Sequence, residues 1–285
     1  MRIKISADST CDLSKELIER YDVGIMPLFV SLGENNLLDG QSIVPQDIYD
    51  FYKQTKKLPK SGARSSEDYY DFFSALLAAG NDAVVHFTIS ADMSSSFDNA
   101  VNAAAKLKNV FVVDSRSLST GIGLLVLDAC DMAQKGKSAE YIVERAEKRI
   151  PYVQASFVID SLEFLYKGGR CSSLAYFGAN LLQIKPSILV KNGKMGTWSK
   201  FQGKYARCVQ KYVETVRKNF DNPDKTRCFV THTELEAGIA ESVVEMVKSW
   251  GVFDEVLETV AGCTVTTHCG AGTIGVLFIN DAGIE

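Results

Sequence analysis

Ala83-Val84-Val85-His86-Phe87-Thr88-Ile89 is the stretch on which the fold of this 285-residue chain turns. A continuous, mostly apolar run of this length is the signature of a strand buried on both faces. It ends in Ser90, then Ser94-Ser95-Ser96, and a helical pattern follows through Lys106. Val110–Val113 repeats the theme: it closes in Asp114-Ser115-Arg116-Ser117 and leads into helices over roughly 119–135 and 138–149. Upstream, Ile3–Ala7 runs into Asp8-Ser9-Thr10-Cys11-Asp12, after which Leu13, Leu17, Ile18 and Tyr21 recur at helical spacing. Such strand–helix alternation implies right-handed crossovers and a largely parallel sheet. Ligands of these sheets bind at the carboxyl ends of the strands. Three of those ends carry hydroxyl clusters here: Ser9/Thr10, Ser90/Ser94 and Ser115/Ser117.

Between the first two of these strands, Ile25–Leu32 is β-rich and turns at Gly33-Glu34-Asn35-Asn36 toward a short return segment ending at Asp39-Gly40. Pro45 opens a helix through about Tyr52, as a first-turn proline should. A loop with Pro59, Ser61 and Gly62 then precedes a helix from about Ser66 to Ala79. Pro151 marks a boundary. Beyond it come a strand at Val153–Ile159, a sharp turn at Lys167-Gly168-Gly169-Arg170, a helix near 173–182, and a strand at Ile184–Val190. Asn192-Gly193 reads as a hairpin turn to Met195–Lys200. A helix over about Lys204–Phe220, a strand Arg227–Thr231 ending at His232, an amphipathic helix Leu235–Trp250 and strands near 253–259 and 273–280 complete the chain. The hairpin breaks the alternation. The expectation is an α/β protein of two domains, residues 1–150 forming a three-layer α/β/α unit with a mainly parallel sheet and residues 151–285 an α+β unit with a mixed sheet, with a ligand between them.

The bulk composition fits a soluble globular protein: 46% hydrophobic, 23% charged, net charge −4. That charge, with no long Lys/Arg run, argues against a nucleic-acid surface. Met1-Arg2-Ile3-Lys4-Ile5-Ser6 lacks the apolar core of a signal peptide, and no apolar run nears the ~18 residues of a membrane span. Seven scattered cysteines, an odd number, read as reduced thiols of a cytoplasmic protein.

The segment most suggestive of chemistry is Val260-Ala261-Gly262-Cys263-Thr264-Val265-Thr266-Thr267-His268-Cys269-Gly270-Ala271-Gly272-Thr273. It reads as a glycine-rich turn that lets a ligand approach the backbone, before a buried strand at Ile274–Ile279. Thr266, Thr267 and His268 offer donors without obligatory charge, which suits a small anionic head group. Gly270-Ala271-Gly272-Thr273-Ile274-Gly275 matches a dinucleotide fingerprint in letters, but β-formers follow it and the chain stops ten residues later. Cys263, His268, Cys269 and His232 lack metal-ligand spacing, and no Gly-x-Ser-x-Gly nucleophile turn is present. His268 is either a ligand contact or a core histidine satisfied by a carbonyl; its threonine and Gly-x-Gly flanks favour contact. His86, within an apolar strand, and His232, at a strand end, read as structural. Ser94-Ser95-Ser96 both caps a helix and exposes amides to an anion. Gly168-Gly169-Arg170 is a turn whose arginine either pins it or faces a partner.

These pieces together resemble the DegV family, the fatty-acid-binding subunits of bacterial fatty acid kinase systems. The resemblance runs from Asp8-Ser9-Thr10-Cys11-Asp12-Leu13 through Ile89-Ser90 with Ser94, Asp114-Ser115 with Gly121 and Gly123, and Leu162-Glu163-Phe164-Leu165 before Lys167-Gly168-Gly169-Arg170. Lys185-Pro186, His232-Thr233 and His268-Cys269-Gly270-Ala271-Gly272 carry it to the tail. It implies a long-chain fatty acid buried between two domains, its carboxylate held by Ser61, Ser94 and His268. Near those loops, Ser90, Met93, Phe97, Thr267 and Ile274 are candidates for further contacts, with a core role for Met93, Phe97 and Ile274 an equal expectation. It implies no cofactor and no metal beyond that bound acid, no catalysis by the chain alone, a separate ATP-binding kinase subunit as partner, and at most transient membrane contact.

The chain departs from the family pattern at several points. It has Ser61-Gly62-Ala63-Arg64 for Thr-Ser-Gln-Pro, Met93-Ser94-Ser95-Ser96-Phe97 for Leu-Ser-Gly-Thr-Tyr, Ala271 for a proline, and Gln202 near a usual basic residue. The alternative expectation is an enzyme or binding protein for a small polar metabolite, because the first domain resembles the substrate subunit of dihydroxyacetone kinase. A third is an interaction protein with an empty cleft.

Overall fold

The computed structural model describes residues 1–171 and 184–282; the helix expected near 173–182 lies outside them. The first part of the chain supplies β1 (Ile3–Asp8), α1 (Lys15–Arg20), β2 (Gly24–Met26), β3 (Phe29–Leu32), β4 (Asn35–Leu38), α2 (Pro45–Thr55), β5 (Lys60–Gly62), α3 (Ser66–Ala78), β6 (Ala83–Thr88), α4 (Ser96–Ala104), β7 (Val110–Asp114), α5 (Thr120–Gln134) and α6 (Ala139–Arg149). The second supplies β8 (Val153–Ile159), α7 (Glu163–Lys167), β9 (Lys185–Lys191), β10 (Lys194–Phe201), α8 (Tyr205–Asn219), β11 (Arg227–His232), α9 (Ile239–Lys248), β12 (Glu255–Val260), α10 (Cys263–Cys269) and β13 (Thr273–Ile279).

β6 is buried along its whole length, as its composition requires. It sits between β1 and β7 in a parallel sheet of order β2-β1-β6-β7. Its side chains alternate between faces. Val85 and Phe87 join a core with α5, while Val84 packs with Tyr69 and Phe73 of α3 and Ala100 of α4. Helices therefore cover both sides, giving three layers. The second part is a six-stranded mixed sheet, β10-β9-β8-β13-β11-β12, in which only β11–β12 pair in parallel. One face takes α8 and α9 through Val213, Val216, Val243 and Val247. The other, through Phe157, Phe229 and Leu277, shares its core with the first part.

α5 lies between the two sheets. Eleven of its fifteen residues are buried, the mark of a helix with apolar neighbours all round. Gly123 permits this closeness: a Cβ there would lie 2.8 Å from Leu13 Cδ2 and 3.0 Å from the Cys11 carbonyl. At the far end, Arg149 bridges the halves with its guanidinium on Asp128, Asp224 and Asp281 at 2.8–2.9 Å.

Local readings differ in instructive places. The β-rich run Ile25–Leu32 is broken at Pro27, and its two parts enter different sheets. The loop expected around Ser61 is instead β5, which pairs with β3 to complete a small antiparallel sheet, β4-β3-β5. The amphipathic helix starts at Ile239 rather than Leu235. The glycine-rich turn expected over 260–273 contains the helix α10. Its first amides are held by carboxylates of the first part. Gly262 N donates to Asp12 Oδ1 (2.9 Å), Cys263 N to Asp39 Oδ1 (2.8 Å) and Thr264 N to Asp39 Oδ2 (3.1 Å). Ser9 Oγ also donates to Asp39 Oδ2 at 2.9 Å.

Asp39 is buried, so removing it strands two helix amides and a hydroxyl. Asp39→Ala is expected to cost about 2 kcal/mol or more in urea unfolding, with Asp39→Asn between it and the parent. An alanine variant within about 0.5 kcal/mol of the parent, the usual reach of an inconsequential change, would show that the docking of α10 does not rest on this residue.

Candidate functional site

A cavity of about 290 Å³ opens where β5, the loop before α4, the α7 turn and α10 converge. Being helical, α10 presents residues three and four apart on one face. Thr264, Val265, His268 and Cys269 consequently all line the cavity. Opposite them are Ser61 and Gly62 of β5 and Met93, Ser94 and Ser95 of the loop. Leu28, Ile89, Leu118, Leu165 and Met195 supply apolar wall, and Arg170 is an exposed part of the rim. Beyond Leu118, Val265 and Cys269 a smaller space of about 30 Å³ continues against Phe157 and Leu277.

His268 Nε2 lies 2.7 Å from Ser61 Oγ, joining residues 207 apart in sequence. Its Nδ1 has no partner and faces the backbone of Gly168, where a Cβ would come within 2.7 Å of it. An orphaned ring N–H is worse than an orphaned lone pair, which puts the proton on Nε2, donating to Ser61. The Ser61 hydroxyl hydrogen is then free to point at a ligand. Burial, with the Arg170 charge second, lowers the His268 pKa to about 4, so the ring is neutral at ordinary pH. None of the described lining residues is acidic, and Arg170 is the cation among them. Its Nη1 donates to the Gly168 carbonyl at 2.8 Å, tying the α7 turn. One end of the cavity thus offers an anion hydroxyls, that of Ser61 oriented by the neutral imidazole, and a guanidinium, and the rest offers hydrocarbon.

The sequence matches the profile described as "Uncharacterised protein, DegV family" over residues 2–281. The chain belongs to the DegV family. A fatty acid-binding protein of Thermotoga maritima is 30% identical over 281 residues, 96% of each chain. Among solved structures, the DegV family protein of Thermus thermophilus, described for its fatty acid binding, superposes with a TM-score of 0.90 at 26% identity, covering 99% of this chain and 100% of its own. A stearic acid-binding protein of Eubacterium ventriosum gives a TM-score of 0.84 at 28% identity over 98% of both chains.

Of the eight residues that the sequence nominates in this DegV chain, the structure places Ser61, Met93, Ser94 and His268 on the cavity wall. The other four do not line it. Ser90 is buried and spends its hydroxyl on the Gly193 carbonyl at 2.8 Å. Phe97 is in α4, one turn past the lining serines. Thr267 is buried on another face of α10, and Ile274 belongs to the core beneath α8 and α9. Arg170, Thr264, Val265, Leu118 and Met195 were not singled out as ligand contacts. A helical reading of 263–269 would have paired Thr264 with His268. Leu118 and Met195 carry no such signal, since any apolar residue serves at a cavity wall.

The remaining histidines are held by protein. His86 Nδ1 pairs with Ser6 Oγ at 3.0 Å and its Nε2 with Asp8 Oδ1 at 3.3 Å; His232 Nδ1 lies 2.6 Å from the Thr233 carbonyl. Among the described residues no cluster of His, Cys, Asp or Glu is arranged to hold a metal. The serines at the start of α4 do not cap through Ser95. Ser94 Oγ accepts from Ser96 N at 3.2 Å instead.

Two outcomes follow from the His268 environment. Gly168→Ala should push the imidazole off Ser61, changing its NMR shifts and raising its pKa toward the ordinary value by on the order of one unit; unaltered ring signals would refute the contact. An unfolded histidine titrates near ~6.5, above the folded value of about 4. Between those values the unfolded chain holds the extra proton, so stability falls as pH drops through that window and is unaffected above it. The melting temperature of His268→Asn should therefore decline less steeply from pH 6.5 to 4 than that of the parent; parallel curves would contradict this.

Proposed function

We propose that this DegV protein binds a long-chain fatty acid in the cavity between the domains we assign to residues 1–150 and 151–285. It then presents the carboxylate to a separate ATP-binding kinase subunit that makes the acyl phosphate. The observation that carries the reading is the cavity's division into an anion-accepting end, Ser61, Ser94, His268 and Arg170, and an apolar remainder. Fatty acid binding by the Thermus and Eubacterium proteins supports it.

The physical division of labour is clear. Burying an acyl chain gains ~0.8 kcal/mol per CH₂, on the order of 12 kcal/mol for sixteen carbons before losses. Hydrogen bonds to the charged head contribute ~1.5–3 kcal/mol each, much of it offset by desolvation. The tail sets affinity and the head contacts set orientation. A partner performing phosphoryl transfer needs the nucleophilic oxygen held in place, which is what oriented neutral donors supply. In this reading the chain is a binding subunit without cofactor or catalysis of its own. It works in the cytoplasm, in keeping with cysteines that form no disulfide among the described residues. The polar-metabolite alternative would want polar walls around His268. Leu28, Ile89, Leu118, Leu165 and Met195 speak for a hydrocarbon instead.

Native mass spectrometry of protein purified from a bacterial host without added lipid is expected to show a bound acid of fatty-acid mass. Adding an ATP-binding fatty acid kinase subunit should convert that acid to acyl phosphate, with His268→Ala slowing turnover about tenfold or more, the loss expected when an orienting contact is removed. Protein that emerges empty and ignores added fatty acids would end the proposal; turnover unchanged in His268→Ala would remove His268 from it.

A further inference from the structure

Thr264 is unexplained by the head-group site. It lines the cavity, only 5% of its surface is exposed, and its Oγ1 has no hydrogen-bond partner. A threonine in a helix can satisfy its hydroxyl on a carbonyl three or four residues back. Thr266, two residues on, donates to the Ala261 carbonyl at 3.3 Å. Thr267 Oγ1 is also without a partner but does not line the cavity. Among the described residues, only at Thr264 do a buried, orphaned hydroxyl and the cavity wall coincide. Valine would present the same shape with no hydroxyl to satisfy, so packing does not account for threonine here. A buried hydroxyl without a partner costs stability until something fills the role.

Its position says what that something is. Thr264 precedes His268 by four residues, so the two share a face of α10 about 6 Å apart along its axis. The His268 end is the rim, beside Gly168 and the exposed Arg170. The Thr264 end is deep. Its amide is held by Asp39, Asp39 is held by Ser9 Oγ, and Ser9 Oγ accepts from the amide of Leu28, itself cavity wall. A carboxylate seated at Ser61, whose hydroxyl His268 orients, has Ser94 and Arg170 on the same wall, and a chain running inward from it passes Thr264 with its first carbons.

Building on the fatty-acid reading above, we propose that the preferred ligand of this protein is a fatty acid hydroxylated near its carboxyl end, whose hydroxyl pairs with Thr264 Oγ1 one helical turn below His268. A hydroxyl both donates and accepts, as Thr264 does, so the pair satisfies both groups.

The test is calorimetric titration of delipidated protein with stearic acid and a positional series of monohydroxystearic acids, on the parent, Thr264→Val and Thr264→Ser. The parent should bind at least one isomer with the hydroxyl in the first third of the chain roughly five- to tenfold more tightly than stearic acid. That ratio should collapse to about one in Thr264→Val and persist in Thr264→Ser. No preferred isomer, or a preference that survives valine, overturns the proposal while leaving fatty acid binding intact. A valine variant that weakens stearic and hydroxystearic acids equally makes Thr264 a head-group ligand and also overturns it. If no acid binds at all, the reading on which it rests has failed first.

Discussion

The seating of α10 on two carboxylates from the far end of the chain is the contact on which the site depends. A seven-residue helix has no standing of its own in water. Its free amides must be satisfied by something, and here they are satisfied by Asp12 and Asp39, more than two hundred residues earlier. The helix dipole favours negative charge at this end, while burial opposes it at Asp12, whose carboxyl is pushed up to about 8. Apolar contact completes the seating: Cys263 and Phe164 pack with Val30, Ile43 and Ile48 in a small core joining the β3–β5 sheet to the second part. Because β5 belongs to that same small sheet, the clasp that orients α10 also sets Ser61 opposite His268.

That long-range origin explains what the sequence conceals. The parallel sheet was legible because β6 is apolar throughout and its neighbours alternate with helices of ordinary length. The hairpin at Asn192-Gly193 was legible because turn chemistry is local, with Asn192 and Gly193 both at positive φ. α10 was not. Its letters are β-branched threonines and valine between glycines, which by local propensity read as turn or strand. The caps that make it helical lie elsewhere in the chain. β5 was equally hidden, since three residues carry no periodicity and the strand exists only through pairing with β3.

The candidate site divides along the same line. His268 stood out by residue type and glycine-rich surroundings, and Ser61 and Ser94 by family resemblance. Ser90 misled because a hydroxyl at a strand end is as useful to the backbone as to a ligand. Here the Gly193 carbonyl, across the seam between the two parts, has taken it. Thr264 went unread as a ligand contact for the reason that α10 did: only helical spacing places it beneath His268. The apolar wall could not be read at all, because lining a cavity and filling a core make the same demand on a leucine.

The neutrality of His268 bears on what the site can do with an acid. A cationic imidazole against a carboxylate in this confined space would form a strong ion pair and draw electron density from the oxygen that would attack in the phosphoryl transfer we propose. Burial keeps the ring uncharged, and the Arg170 guanidinium nearby adds to that effect. The imidazole then works as a hydrogen-bond donor through Ser61, aligning the head group without capturing it. The full positive charge stays on exposed Arg170 at the rim, where water screens it. In the proposed function, a carboxylate held loosely in energy but tightly in direction at this end would remain available to a second protein, while the hydrocarbon wall would keep the molecule from leaving.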